Sequence, residues 1–588
     1  MSSLTTKILL TDAVGAYDSE EFALVYVLNS WGEPNLRCVS LPAMVEDDAV
    51  NVQESISRWL HLFKTALHSA ACAELHTDPT LAELHPLFEG NYATTPEHFE
   101  LAQLIVFCRS LEGRDITEIV YSGSSSAVSR CLTRWCKMRN VAFSGPRLRS
   151  PLRSRIESTL SRWRAWFRLY RLCRTNSPID YRPLQAVSTA FVDYFVADPI
   201  DTYWPALRNL IAQDRDRYFF IHQYTKHSAL STVAAAKSHC TELQRASFQP
   251  HRKLLESVVT ASDFPNIRKH AAVLRRMYKL SMTVTSPTLP YLAGLEPISL
   301  YSEKLARGWN DSTVVDSALK LVAFHDVLSA LPNLKQVVFL QENHRWEKTL
   351  LREVANRGIR SIGVPHTVVR PRDLRYQAIV RDSQSDRFLF PNTVATNGPA
   401  TRDELAKGIA DERLTSVEAQ RYESLTNVRR VTTPSRPVVL LVGDLLPRHS
   451  EFILDTALPV LRQMNSTVYF KPHPADLGSR ALAEAHGAVI IGGDFRQALS
   501  CASLVIAGSL TAATAEAVHV GLPVVTIVDP AFFNLSPLLY LPFARYARTP
   551  LELRTHLDHI LSNSVDEQRE MFTIDQTLWR WRKLLSVD

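Results

Sequence analysis

The chain has 588 residues, of which 46% are hydrophobic and 21% charged, an ordinary balance for a folded protein too long for one compact core. Its net charge of +6 comes from 66 basic and 60 acidic residues and matters only where the excess is concentrated. This composition excludes collagen, coiled coil and wholesale disorder, and no window approaches the run of about eighteen apolar residues that a membrane span needs.

The N-terminus, MSSLTTKILLTDAVGAY, lacks the basic start and long apolar core of a signal peptide and reads as a first strand, Lys7 to Asp12. Residues Ile116 to Ser122 form a second candidate strand. It runs into Gly123, Ser124, Ser125 and Ser126 and then a helical pattern, the signature of a βα unit in a parallel sheet. From about Gly145 to Arg174 the excess charge gathers: nine arginines (Arg147, Arg149, Arg153, Arg155, Arg162, Arg164, Arg168, Arg171, Arg174) stand against one acid, Glu157. Within that stretch Ile156, Leu160, Trp163, Phe167 and Tyr170 recur at spacings of three and four, on one helical face, with Arg164, Arg168 and Arg171 on another. Residues 180 to 290 are mixed and read as mostly helical.

Strand patterns return at Gln336 to Glu342 and at Arg360 to Pro365, with a helix from Trp346 to Arg357 between them that ends at Gly358. A polar helical stretch closes in TTPSRP, a linker composition. Beyond it come Val/Ile/Leu-rich strands at Pro437 to Asp444, Thr467 to Lys471, Ala488 to Ile491, Leu504 to Ala507 and Pro523 to Val528, as a parallel sheet covered on both faces requires. The last forty residues read as helix. Eight cysteines lie scattered with no CxxC pair, which predicts buried thiols in a reducing cytoplasm and no zinc site.

Three stretches carry candidate chemistry. In VYFKPHPAD a strand ends and presents Lys471, Pro472, His473 and Pro474; the prolines hold the backbone out of a helix, so that Lys471 and His473 can reach a phosphate. In VIAGSLTAATAEAVHVGLP a strand ends at Ala507, Ser509 and Thr511 sit in the turn, and Glu516 lies in the following helix. Free N–H groups and hydroxyls there suit an anion, and the carboxylate suits ribose hydroxyls. In LQENHRWEK…VPHTVVRPRDLRY, Glu342 and His366 follow neighbouring strands and suit general acid–base work, while Arg370, Arg372, Asp373, Arg375 and Tyr376 could hold an acidic substrate. Neither GxGxxG nor GxxxxGK[ST] occurs, which argues against a dinucleotide oxidoreductase and a P-loop enzyme.

Together the stretches FLQENHRWEK, IGVPHTVVRPRDLRY, ATNGPA, VGDLLP, FKPHP, the Ser509–Glu516 turn and helix, GLPVV and DPAFFNLSPL resemble a bacterial surface-carbohydrate biosynthesis family. That family is related to polysialyltransferases and to capsule Kdo and nonulosonic acid (pseudaminic, legionaminic) transferases. The resemblance covers residues 335 to 545. It implies an α/β, GT-B fold: two Rossmann-like domains facing a cleft, with a helical insertion and a C-terminal crossing helix. The expected division is an acceptor-side domain over 1–400 with a basic helical insertion at about 145–330, a linker over 401–436, a nucleotide-sugar domain over 437–548, and helices packing back over 549–588. It also implies that His473 and Pro474 contact the nucleotide, that Ser509 and Thr511 bind its phosphate, and that Glu516 binds ribose.

The activity implied is transfer of an acidic sugar from a CMP-activated donor to a bacterial glycan or lipid-linked glycan. No cofactor is expected, and no metal, since no DxD motif stands in a suitable loop. The family's acidic D/E-D/E-G motif is missing, and Asp12 and Glu342 are its stand-ins. CDP-glycerol-type glycerophosphotransfer, nucleotide-sugar 2-epimerisation and a non-catalytic capsule-assembly scaffold remain alternatives. The arginine-rich stretch, residues 147–174, has two readings: contact with an anionic membrane surface, with the protein peripheral on the inner face of the inner membrane, or packing on the N-terminal domain. Nucleic acid is not an expected partner.

Overall fold

The computed structural model describes residues 6–12, 22–31, 38–146, 151–176, 184–196, 202–226, 230–245, 251–428, 436–464, 466–473, 476, 478–493, 495–563 and 568–586. It contains three parallel sheets with helices between their strands. The first joins β1 (Lys7–Thr11), β2 (Leu24–Val27), β3 (Cys38–Ser40), β4 (Glu118–Tyr121) and β5 (Ala142–Ser144) in the order β3-β2-β1-β4-β5. The second holds β6 (Thr189–Phe195), β7 (Tyr218–Tyr224), β8 (His251–Leu254), β9 (Gln336–Leu340), β10 (Arg360–Val364), β11 (Thr393–Thr396) and β12 (Leu414–Ser416), ordered β12-β11-β10-β9-β6-β7-β8. The third holds β13 (Val438–Val442), β14 (Thr467–Lys471), β15 (Val489–Ile490), β16 (Leu504–Gly508), β17 (Val524–Ile527) and β18 (Tyr546–Ala547), ordered β15-β14-β13-β16-β17-β18.

Each sheet is wound the same way. Three strands run outward to one edge, then the chain returns to the middle and continues to the other edge. The reversal falls between β1 and β4, β6 and β9, and β13 and β16. At such a point the loops leaving adjacent strands diverge and open a crevice beyond the strand ends.

The α/β class with facing sheets is therefore present, but the N-terminal part contains two sheets where the sequence suggests one. The region read as a helical insertion supplies β6, β7 and β8. The reason is physical: β6 (TAFVDYF) and β7 (YFFIHQY) are buried almost throughout, so they show no alternation, and a short apolar run cannot be told from buried helix by its period. The polar stretch read as a linker likewise supplies edge strand β12, which pairs with β11. Of TTPSRP, residues 432–435 lie outside the described residues. Five of the eight free cysteines are buried, but Cys72 and Cys501 are exposed.

The first and second sheets share one core, in which Tyr26, Trp59 and Phe107 join Val192, Val337 and Phe339. The third sheet packs apolar side chains on both faces, with Leu440, Val442 and Ala507 on one and Leu441, Phe470 and Ile506 on the other. It also touches the first unit, where Trp31 Nε1 donates to the Val528 carbonyl at 2.8 Å and Phe533 meets Tyr92 and Phe99. After β18 the chain crosses back. Helix Trp579–Leu584 places Trp581 in the second sheet's core beside Trp204, Leu340 and Val364. Its indole donates to the Glu418 carbonyl at 2.8 Å, while the Glu418 carboxylate accepts from the Trp581 backbone N–H at 3.2 Å. Trp581 is 0% exposed, so Trp581→Ala should cost about 3–5 kcal/mol, read as a lower denaturation midpoint in urea; a loss under about 1 kcal/mol would show that the crossing does not hold the two units together.

Candidate functional site

A cleft of about 890 Å³ opens between the carboxyl ends of the second and third sheets. One wall follows β9 and β10. After Leu340 the chain turns sharply, with Asn343 in the left-handed region at φ 62°. Its amide Nδ2 donates to the carbonyls of Phe88 and Glu89, both at 3.0 Å. The buried Glu347 carboxylate accepts from the backbone N–H groups of Glu342 at 2.8 Å and Asn343 at 3.0 Å. These four bonds fix the loop that carries Glu342 and His344 into the cleft. His366 arrives from the end of β10, on the adjacent strand.

Glu342 is the centre of this wall. Its Oε2 lies 3.2 Å from His344 Nε2, its Oε1 lies 3.2 Å from His366 Nδ1, and Arg375 Nη1 stands 3.8 Å away. Burial opposes its charge, but these cationic and imidazole neighbours prevail and hold the carboxyl well below the usual range. Burial also opposes a charge on His344, yet its hydrogen bond to Glu342 and the Glu89 carboxylate 3.9 Å away push the imidazole up to about 10. His366 goes the other way: burial dominates, with Arg421 and Arg375 adding repulsion, and brings it down to about 4 despite Glu342. At neutral pH the wall therefore holds an ionised Glu342, a cationic His344 and a neutral His366.

The adjoining loop carries the arginines. Asp373 caps helix Leu374–Asp382 and pairs with Arg370 at 2.9 Å and Arg375 at 2.7 Å. Arg370 reaches further and donates from Nη1 to the Leu510 carbonyl, 2.6 Å away on the opposite wall.

That opposite wall comes from β13, β14 and β16. Lys471 ends β14 and donates to the Gly493 carbonyl at 2.5 Å. His473 follows, its imidazole lowered by burial and by Arg421. Thr511 Oγ1 accepts from the Ala513 N–H at 3.2 Å and starts the short helix Ala513–His519, which brings Glu516 to the cleft. Lys471, His473, Thr511 and Glu516 thus share the cleft with Glu342, His366, Arg370, Asp373 and Arg375.

The remaining expected site residues lie elsewhere. Ser509 is buried and its hydroxyl bonds back to the Phe533 carbonyl at 3.4 Å. Arg372, 7% exposed, turns from the cleft into a junction of all three units, bonding Glu46 at 2.6 Å and the Tyr540 hydroxyl at 3.4 Å. Tyr376 belongs to an apolar cluster with Val369, Ile379 and Val394. Asp12 follows β1 of the first sheet, where it accepts from the backbone N–H and hydroxyl of Ser124, each at 2.8 Å. Pro474 lies outside the described residues.

Besides His344 on the Glu342 loop, the cleft residues Asp444 and Arg421 escaped the sequence reading. Asp444 follows β13 at the reversal point, and burial pushes it up to about 6, though the N–H groups of Leu445 and Leu510 pull the other way. A Cβ on Gly508 would stand 2.6 Å from its Oδ2, so glycine alone lets the turns after β13 and β16 come this close. The signal was present in VGDLLP as an acid directly after an apolar strand. Arg421 lies on the 3-10 turn Gln420–Asn427 and interacts electrostatically with both Glu516 and Glu342, one from each wall. It sat in a stretch read as linker, with no periodicity to single it out.

No protein-family model matches the chain, and no curated protein sequence matches it. Among solved structures, it resembles UDP-GlcNAc 2-epimerase from Methanocaldococcus jannaschii at 11% identity and a TM-score of 0.40, over 68% of this chain and 100% of that one. The glycosyltransferase SnogD from Streptomyces nogalater is similar at 12% identity and a TM-score of 0.39, over 68% and 100%. Anabaena Alr3699/HepE in complex with UDP is similar at 12% identity and a TM-score of 0.35, over 65% and 92%.

The two imidazoles on Glu342 should titrate on opposite sides of the ordinary histidine value. NMR of histidine-labelled protein should show His366 taking up its proton only near pH 4, while His344 keeps its own until about pH 10. The raised His344 adds stability that is complete below about 6.5 and lost as pH rises through about 10. Two resonances titrating together near 6.5 would contradict the charge arrangement.

Proposed function

We propose that this chain is a GT-B glycosyltransferase that moves an acidic sugar, of nonulosonic acid or Kdo type, from a CMP-activated donor to a bacterial surface glycan or lipid-linked glycan. The observation that carries the reading is the division of labour across the cleft. Lys471, His473, Thr511 and Glu516 gather on one wall at the ends of β14 and β16, and the Glu342–His366 pair stands on the other. A monophosphate seated by Lys471, His473 and the Thr511 turn leaves Glu516 for ribose hydroxyls. Arg421 then lies where a sugar carboxylate or the departing phosphate would need a cation.

Glu342 is a poor proton acceptor because three neighbours stabilise its charge. His366, neutral and with Nδ1 towards that charge, is the better general base. In the proposed step the acceptor hydroxyl oxygen bonds to the anomeric carbon, its proton passes to Nε2 of His366, and the bond from that carbon to the phosphate oxygen breaks. CMP leaves with the electron pair. Glu342 positions the imidazole and stabilises its charged form. This course inverts the anomeric carbon. Arg370, Asp373 and Arg375 shape the acceptor side, whereas Asp12 has no part in the step. The working place is the cytoplasm or the inner face of the inner membrane.

Isothermal calorimetry tests the donor assignment. His473→Ala should weaken CMP binding by about tenfold or more, in keeping with loss of a charge-assisted contact. His366→Ala should leave CMP binding intact and slow transfer by roughly 10²–10⁴. Thermal shift with CMP, CDP and UDP should give the largest stabilisation with CMP. Equal CMP affinity in the His473 variant, or a larger shift with UDP, would remove the CMP-sugar reading.

A further inference from the structure

Helix Pro151–Thr175 carries its apolar side chains on two opposite faces. Ala165, Leu169 and Cys173 are its buried face, and Trp166 leans on Phe264 of the next helix with ring centroids 5.6 Å apart. Half a turn away lies a second stripe. Ile156 is 52% exposed, Leu160 49%, Trp163 67%, Phe167 63% and Tyr170 44%. The helix thus packs on the N-terminal domain through its small, inward face, and Tyr170 at the edge of the stripe also meets Phe264 with ring centroids 5.6 Å apart, while Ile156, Leu160, Trp163 and Phe167 are left outward. Water is a poor neighbour for five large apolar groups in one row, and contiguous patches of this kind mark interaction sites.

Charge narrows the partner. Arg164, Arg168 and Arg171 stand exposed beside the stripe. The neighbouring helix Phe264–Thr283 has five basic residues and no acidic one, and its Arg275, Arg276 and Lys279 are exposed as well. Among the described residues, none of these six side chains makes an ion pair, so two adjacent helices accumulate like charge without internal compensation. A soluble polyanion would answer the cations and leave the aromatic row in water. The interface of an anionic bilayer answers both, since tryptophan and phenylalanine settle at headgroup depth while arginines meet lipid phosphates. No helix among the described residues is long and apolar enough to cross a membrane, so this one would lie in the interface plane.

We propose that the outward face of helix Pro151–Thr175, with the basic side of helix Phe264–Thr283 beside it, is a docking surface for an anionic lipid bilayer. The surface is separate from the cleft and needs no nucleotide, so its failure and that of the donor reading are distinguishable. The test is flotation of the full chain, without nucleotide, on vesicles of phosphatidylcholine alone or mixed with phosphatidylglycerol. Wild-type protein should float with the mixed vesicles and stay behind with phosphatidylcholine. Trp163→Ser/Phe167→Ser should lose about tenfold or more of that binding, and Arg164→Gln/Arg168→Gln/Arg171→Gln should lose as much. Both variants alter exposed positions and should melt like the wild type. The proposal is overturned if the aromatic variant floats as well as wild type. It is equally overturned if wild type ignores the mixed vesicles, or if it retains single-stranded DNA while failing to float.

Discussion

Everything that faces the cleft depends on one constraint of parallel sheets: consecutive strands point the same way, so each must be followed by a crossover, and every strand's carboxyl end is a place where the chain leaves the sheet. Where the winding reverses, two such exits diverge and expose backbone and side chains to a crevice. In the third sheet the reversal between β13 and β16 brings Asp444 and Thr511 together, with Lys471 and His473 one strand away. In the second sheet the exits of β9 and β10 deliver Glu342 and His366. Two sheets built by the same rule, with these ends facing each other, give a cleft with polar walls on apolar foundations.

The first sheet helps set the position of the acid–base wall. Its unit is tied to the second by a buried charge cluster: Lys64 and Lys348 both bond Asp382, and Glu83 lies 3.6 Å from Lys348. Such clusters contribute little net stability, because desolvation offsets most of the attraction, but breaking one partner costs about 3–5 kcal/mol. The geometry is therefore fixed more firmly than it is stabilised. That fixity is passed on through the carbonyls of Phe88 and Glu89, which hold Asn343 and with it the Glu342 loop. The charge on His344 is sustained partly by Glu89 from the same unit.

How much of this was legible in the sequence follows from the range of the interactions. Lys471, His473, Thr511 and Glu516 could be placed because strand, turn and helix signals are local and the third sheet's strands are short Val/Ile/Leu runs. Asp444 was within reach of the same reasoning. The strands β6 and β7 were hidden because burial on both faces erases alternation. Arg372 could not be separated from Arg370 by any local rule. Its partners, Glu46 and Tyr540, lie 326 and 168 positions away in the chain. Two arginines two positions apart thus serve different purposes, one in the cleft and one in a junction.

Those same two arginines bear on how the cleft works. Arg370 donates to the Leu510 carbonyl on the far wall, and Arg372 joins Glu46 in the first unit to Tyr540 in the third. Both are charge-assisted contacts, each worth about 1.5–3 kcal/mol. They therefore hold the walls at their present separation without locking them, since a bound ligand's contacts are of the same order. The Leu510 carbonyl belongs to the turn between β16 and Thr511. A ligand that seats on that turn must either accept the Arg370 bond as it stands or replace it, so occupancy of one wall is coupled to the arginine loop of the other.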